Sequence, residues 1–223
     1  METSLTVLYT ANLRGDLDLL PRMYSFVRQL KAYFSEEAVQ LCPDDPAPAT
    51  LEGRTVLLDL GESCAADAWH CQVTGGRSTL VVLDSMGYDA ANVSGFLAPE
   101  GRAKLDGMVR VALVDEQHPF DDDWLHLRTA QDKSRRRAAS TERDITILMS
   151  PAKATTYADN VLSLAPVTAG QIGVARVCLK KIPYELEETL VFDLPRRSPP
   201  DPTIAGIVDF VTSEARFVQK KHS

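Results

Sequence analysis

The sequence predicts an α/β fold built on a parallel sheet, and three observations carry that prediction. An apolar, β-branched run, Leu5-Thr6-Val7-Leu8-Tyr9-Thr10-Ala11, stops at the small-residue turn Asn12-Leu13-Arg14-Gly15. A second run, Thr55-Val56-Leu57-Leu58-Asp59-Leu60, ends at Gly61-Glu62, and a third, Tyr88-Asp89-Ala90-Ala91-Asn92-Val93, follows Gly87. Helical patterns separate the three. The first 95 residues therefore read β-α-β-α-β, which implies parallel strands and right-handed crossovers. A buried strand that stops at such a turn holds its last side chains over the carboxyl edge of the sheet, where open α/β sheets put their ligands.

The elements follow in order. After Gly15, the apolar residues Leu19, Leu20, Met23, Phe26, Val27, Leu30, Tyr33 and Phe34 recur at i, i+3, i+4 spacing, with Pro21 where a first helical turn accepts it. This predicts a helix from about Pro21 to Phe34, followed by the proline-rich surface loop Cys42 to Pro48. Ser78 to Met86 predicts a short helix stopped by Gly87 as a left-handed cap. Met108 to Val114 and Trp124 to Leu127 read as strands around the turn His118 to Asp123. Lys133 to Arg143 is a polar, basic loop in which Arg135-Arg136-Arg137 reads first as a solvated face, second as a docking patch or kinase-recognition site. Asp144 to Met149 is a buried strand, Ile172 to Leu179 and Glu188 to Phe192 a terminal strand pair. Asp201-Pro202 opens a closing helix with Ile204, Ile207, Val208, Val211, Ala215 and Val218 on one face.

The totals bound the function. A chain of 223 residues suits one large α/β domain, and no internal repeat or clear linker divides it. The net charge of −7 argues against nucleic acid as a partner. No apolar run approaches the roughly 18 residues that span a bilayer, so no membrane partner is expected. The N-terminus lacks a basic region followed by a long apolar one, so no signal peptide is read there. Four cysteines, Cys42, Cys64, Cys71 and Cys178, do not make a disulfide framework, and a reducing, cytoplasmic location is the expectation.

The stretch Leu5 to Gly15 resembles the first motif of the calcineurin-like metallophosphoesterases, in the branch that contains the 5′-nucleotidases. Thr55 to Gly61 is similar to that family's "strand, Asp, apolar, Gly, Asp" motif, and Gly87-Tyr88-Asp89-Ala90 to its Gly-Tyr-Asp-Ala. Val167 to Leu179 resembles the strand pair that closes the phosphoesterase domain. The resemblance implies a metallophosphoesterase-like β-sandwich flanked by helices in a single domain, residues 1–223.

It also implies a site whose chemistry has changed. The family binds two metal ions that polarise a phosphate and generate hydroxide. Its first-motif Asp and His correspond here to Asn12 and Arg14, and its bridging Asp to Glu62. Its Gly-Asn-His-Glu falls on Ser94-Gly95-Phe96-Leu97, its strand-terminal His at or near Pro151, and its last His pair has no counterpart between Pro151 and Val167. A guanidinium stays protonated and cannot coordinate a cation. Two unit charges about 4 Å apart interact by about 4 kcal/mol at an effective dielectric near 20, and a divalent ion doubles that. Arg14 is thus expected to take the ion's place and pair with Glu62, with no cofactor. The expected function is a degenerate, non-catalytic phosphoesterase-like protein, a pseudoenzyme, whose vestigial cleft at Asn12, Arg14, Glu62 and Ser94 binds a small anion or serves a protein partner.

Other constellations give alternatives. Glu62, Cys64, Asp67, His70 and Cys71 crowd one segment and include every common zinc-ligand type, so a relocated metal site there, serving an active phosphoesterase on nucleotides or phosphate esters, stands as the second reading. The first is a surface loop with Trp69 and one or both cysteines packed as small apolar groups. His118 and His126 read as surface residues, and Thr74-Gly75-Gly76-Arg77-Ser78 as a turn and helix cap whose amides could also hold an anion. Ser78 and Ser94 lack a His-Asp relay.

Overall fold

The computed structural model describes residues 4–40, 53–130, 143–180 and 182–222. The first parallel strand, β1 (Ser4–Thr10), is buried along its whole length. Leu5, Val7 and Tyr9 point to one side and Leu8 to the other, and both sides are apolar core. This two-sided burial is why the run is continuous rather than alternating.

Helix α1 (Leu20–Gln40) carries the chain back to β2 (Arg54–Asp59), which pairs with β1 in parallel. Two short helices, α2 (Trp69–Thr74) and α3 (Arg77–Ser85), lead to β3 (Ala90–Asn92). Helix α4 (Pro99–Leu105) then leads to β4 (Ala112–Val114). The strand expected from Met108 is thus only its last three residues; Met108 sits in the turn after α4, its side chain 78% exposed. Gly87 adopts φ +75°, the left-handed cap foreseen after α3.

The chain then builds a second sheet from β5 (Phe120–Asp121), β6 (Leu125–Arg128), β7 (Ile145–Leu148), β8 (Thr156–Ala158) and β9 (Val161–Ser163). The β8–β9 hairpin was not foreseen. Its two-residue turn, Asp159-Asn160, has φ of +51° and +61°, the mirror-image geometry that matches strand twist. Strands β10 (Gln171–Cys178) and β11 (Glu185–Asp193) return antiparallel beside β1. Helix α5 (Pro202–His222) closes the chain, capped by Asp201, whose Oδ1 accepts from the amides of Thr203 and Ile204.

The result is a sandwich of a six-stranded sheet, ordered β11-β10-β1-β2-β3-β4, on a five-stranded sheet, ordered β5-β6-β7-β9-β8. One core lies between the sheets, where Val7, Tyr9, Val56 and Leu58 meet Leu127, Ile145, Ile147 and Leu162. The other lies between the first sheet and the helices, where Leu8, Leu57 and Val174 meet Met23, Phe34, Leu80, Leu83 and Val211. Among the described residues no helix is long and apolar enough to cross a membrane. The readings for Cys42 to Pro48 and for Arg135-Arg136-Arg137 lie outside the described residues.

Candidate functional site

Beyond Thr10 and Asp59 the two central strands do not part. Their loops stay joined by backbone bonds: Leu60 N–H to Thr10 O at 2.8 Å, Asn12 N–H to Gly61 O at 3.0 Å, Arg14 N–H to Glu62 O at 2.8 Å and Gly15 N–H to Ser63 O at 2.8 Å. The joined path requires left-handed backbone at Asn12 (φ +57°), Arg14 (φ +53°) and Glu62 (φ +56°). Asparagine adopts that region with little strain, but each ordinary side chain there costs about 1–2 kcal/mol. Of the five such non-glycine residues among those described, three stand at this one point. Such outliers concentrate where a fold spends stability to aim a side chain.

The aim is outward. Arg14 and Glu62 line a cleft of about 510 Å³ at the carboxyl edge of β1, β2 and β3, together with Ser94, Gly95 and Phe96 from the loop after β3 and Gly75-Gly76 before α3. The Arg14 guanidinium lies 4.0 Å from Glu62 Oε2 and 3.7 Å from Asp67 Oδ2, with all three side chains largely exposed. Asn12 is not in the cleft wall: its Nδ2 donates to the Val167 carbonyl at 2.8 Å, tying β1 to the segment before β10. Ser94 keeps its place in the wall, with its amide donating to Asn92 Oδ1 at 3.0 Å.

Beneath the cleft a buried network fixes this edge. Asp59, fully buried, accepts from Thr10 Oγ1 at 2.9 Å, from the Gly61 amide at 3.0 Å and from the Ser63 hydroxyl. Thr10 Oγ1 lies 3.0 Å from the Tyr88 hydroxyl. A carboxylate accepts only, so the chain runs Tyr88 to Thr10 to Asp59 when Asp59 is ionised. Desolvation pushes the Asp59 carboxyl up to about 7 against the opposing hydrogen bonds, and burial pushes the Tyr88 phenol up as well. Asn92 Nδ2 bonds Leu60 O at 3.1 Å and Met149 O at 3.0 Å, pinning β3 to the ends of β2 and β7. The sequence reading holds Asp59 only as the Asp of the quoted family motif and Asn92 only as a strand residue; the signal for both is a polar residue closing a buried strand.

The segment after Glu62 corrects the expectation for the cysteines. Cys64 and Cys71 are joined in a disulfide, with their Cα atoms 5.7 Å apart, and Cys178 is a free, half-buried thiol. Composition speaks only to disulfide frameworks; here a tight turn and the first turn of α2 bring two residues together locally. Trp69, expected inside, is 37% exposed, while the next residue, His70, is buried. His118 and His126 bond Asp115 and Asp121, and neither lines the cleft.

A parallel sheet that turns antiparallel at one side, packs on a second sheet and opens a cleft at the carboxyl ends of its central strands has the architecture of a calcineurin-like phosphoesterase. Among solved structures, the calcineurin-like phosphoesterase YfkN from Bacillus subtilis superposes with a TM-score of 0.58 at 10% sequence identity, over 98% of this chain and 100% of that one. No family model matches the sequence, and no curated protein does. The likeness is one of fold.

Proposed function

We propose that this chain is a binding module on a phosphoesterase fold, a 5′-nucleotidase-like architecture without the dinuclear metal centre, whose cleft takes up a small phosphate- or carboxylate-bearing ligand through Arg14. The observation that carries this reading is the strained backbone that turns Arg14 and Glu62 into the cleft mouth. The left-handed backbone at Arg14 and Glu62 joins the two loops and at the same time holds both exposed side chains at the cleft.

The residues present do not suit two divalent ions. Asn12 is held out of the cleft wall by its bond to the Val167 carbonyl, and Arg14 brings a permanent positive charge where the resemblance places a histidine ligand. The same charge suits an anion. At 4.0 and 3.7 Å the carboxylates of Glu62 and Asp67 balance Arg14 without hydrogen-bonding it, which leaves its planar fork of donors to offer a ligand. Gly75 and Gly76 put the N-terminus of α3, the positive end of its dipole, in the same wall.

Calorimetric titration with inorganic phosphate and with a 5′-nucleoside monophosphate tests this. Saturable binding that weakens at least about tenfold in Arg14→Glu, with unchanged circular dichroism, is expected, since reversing one charge in a site costs more than about 1.4 kcal/mol. Turnover of an aryl phosphate that depends on added manganese or zinc would overturn the proposal, as would no difference between wild type and Arg14→Glu.

A further inference from the structure

Cys64, His70 and Cys71 are the one grouping of three metal-ligating side chains among the described residues, with ligand atoms all within 4.8 Å of one another and all three residues buried. Both cysteines also form part of the cleft wall. His70 is held in a defined tautomer. Its Nε2 lies 2.9 Å from the Gly15 carbonyl oxygen, which can only accept, so Nε2 carries the proton and Nδ1 keeps its lone pair. Nδ1 stands 2.7 Å from the Ser78 hydroxyl and 3.7 Å from Cys71 Sγ. An imidazole whose N–H is anchored on a backbone carbonyl, with the lone pair of its other nitrogen on the side of the two sulfurs and held here by the Ser78 hydroxyl that a metal would displace, is the arrangement metal-bound histidines use. Thr79 Oγ1, at 3.3 Å from Cys64 Sγ and 4.0 Å from Cys71 Sγ, is placed to donate to a thiolate.

With the two sulfurs bonded to each other, this set cannot bind a metal. We propose that reduction of the Cys64–Cys71 disulfide opens a zinc site formed by Cys64 Sγ, Cys71 Sγ and His70 Nδ1, its fourth position left to water or an anion from the cleft. A dithiol reductant delivers two electrons and two protons to the S–S bond and leaves as a disulfide. The two thiols release those protons to solvent when Zn²⁺ binds. Two thiolates, a neutral imidazole and Zn²⁺ sum to zero charge, which removes the main penalty of burial. Thiolate with imidazole selects zinc over magnesium, calcium or manganese. The site stands apart from the ligand positions the fold resemblance implies, and it holds whether or not Arg14 binds an anion.

The test titrates separate samples of metal-free full-length protein with Zn²⁺ and with Co²⁺, once oxidised and once after reduction by a phosphine that is removed under nitrogen. The reduced protein should bind about one zinc per chain. With cobalt it should show thiolate charge-transfer absorption and the intense visible bands of a tetrahedral site. The oxidised protein should show neither. Cys178→Ser should retain uptake, Cys64→Ser with Cys71→Ser should lose it, and His70→Ala should weaken it at least about tenfold. The comparison of reduced with oxidised wild type needs no variant to fold. No uptake on reduction, uptake that persists in the double serine variant, or loss of native circular dichroism on reduction that zinc does not restore would each overturn the proposal.

Discussion

Asp59 gives the fold a pH dependence that can be worked from its surroundings. Desolvation lifts its carboxyl from 3.8 in a free chain to about 7 in the folded one. The folded state therefore binds a proton more tightly than the unfolded state, so stability is highest when Asp59 is protonated. It falls as pH rises from about 4 to about 7 and stays low above that. The span is about three pH units, and at about 1.4 kcal/mol for each the loss is about 4 kcal/mol, a large share of the 5–15 kcal/mol usual for a domain. Asp59→Asn removes the titration and keeps the shape. The amide oxygen can still accept from Gly61 and Ser63, while its nitrogen donates to Thr10, whose hydroxyl then turns toward Tyr88. Urea unfolding of both proteins at a series of pH values measures the difference. Relative to Asp59→Asn, wild type should lose about 4 kcal/mol between about pH 4 and pH 8, or about 2 M in midpoint at a slope near 2 kcal/mol/M. A wild-type-minus-variant difference that stays flat with pH would mean that Asp59 titrates alike in both states, and the reasoning from burial would fail.

Three further outcomes are expected. A Cβ on Gly173 would meet the Tyr9 ring at 2.1 and 2.5 Å, so Gly173→Ala should destabilise by about 1–3 kcal/mol or more, and Tyr9→Leu in the same chain should restore part of it; thermal unfolding of the three variants decides. Asn92→Asp replaces a donor to two carbonyls with a carboxylate facing them, and should cost about 3 kcal/mol or more at neutral pH in denaturant titrations, more than Asn92→Ala. Arg14→Ala should change stability by less than about 0.5 kcal/mol in the same assay, because its ion pairs are long and exposed.

Most of the sheet was legible because burial leaves its mark on consecutive residues. Leu5 to Thr10 and Arg54 to Asp59 lie between two apolar layers, and Met23, Val27, Leu30 and Phe34 repeat at the helical period. Helix α4 was not legible: Pro99 to Leu105 is a run of small and charged residues with Leu105 as its main apolar anchor. The β8–β9 hairpin escaped because its strands are three residues each, too short for alternation to declare itself. At the site, Arg14 and Glu62 lie in the loops that follow β1 and β2, where the strand patterns already point to the sheet edge, and both line the cleft. The role of Asn12 could not, because its partner, Val167, is distant in the chain.

The sequence by itself determined the α/β order, the sheet edge where the cleft opens and the charges available there, since these depend on local periodicity and on the chemistry of single side chains. Only the tertiary structure decided which groups meet: Arg14 with Asp67 as well as Glu62, Cys64 with Cys71, His70 with Gly15 and Ser78, Asp59 with Thr10 and Tyr88. The reason is physical. A residue's identity sets what it can donate, accept or carry, while its partner and its protonation depend on the neighbours and the loss of water that long-range packing imposes.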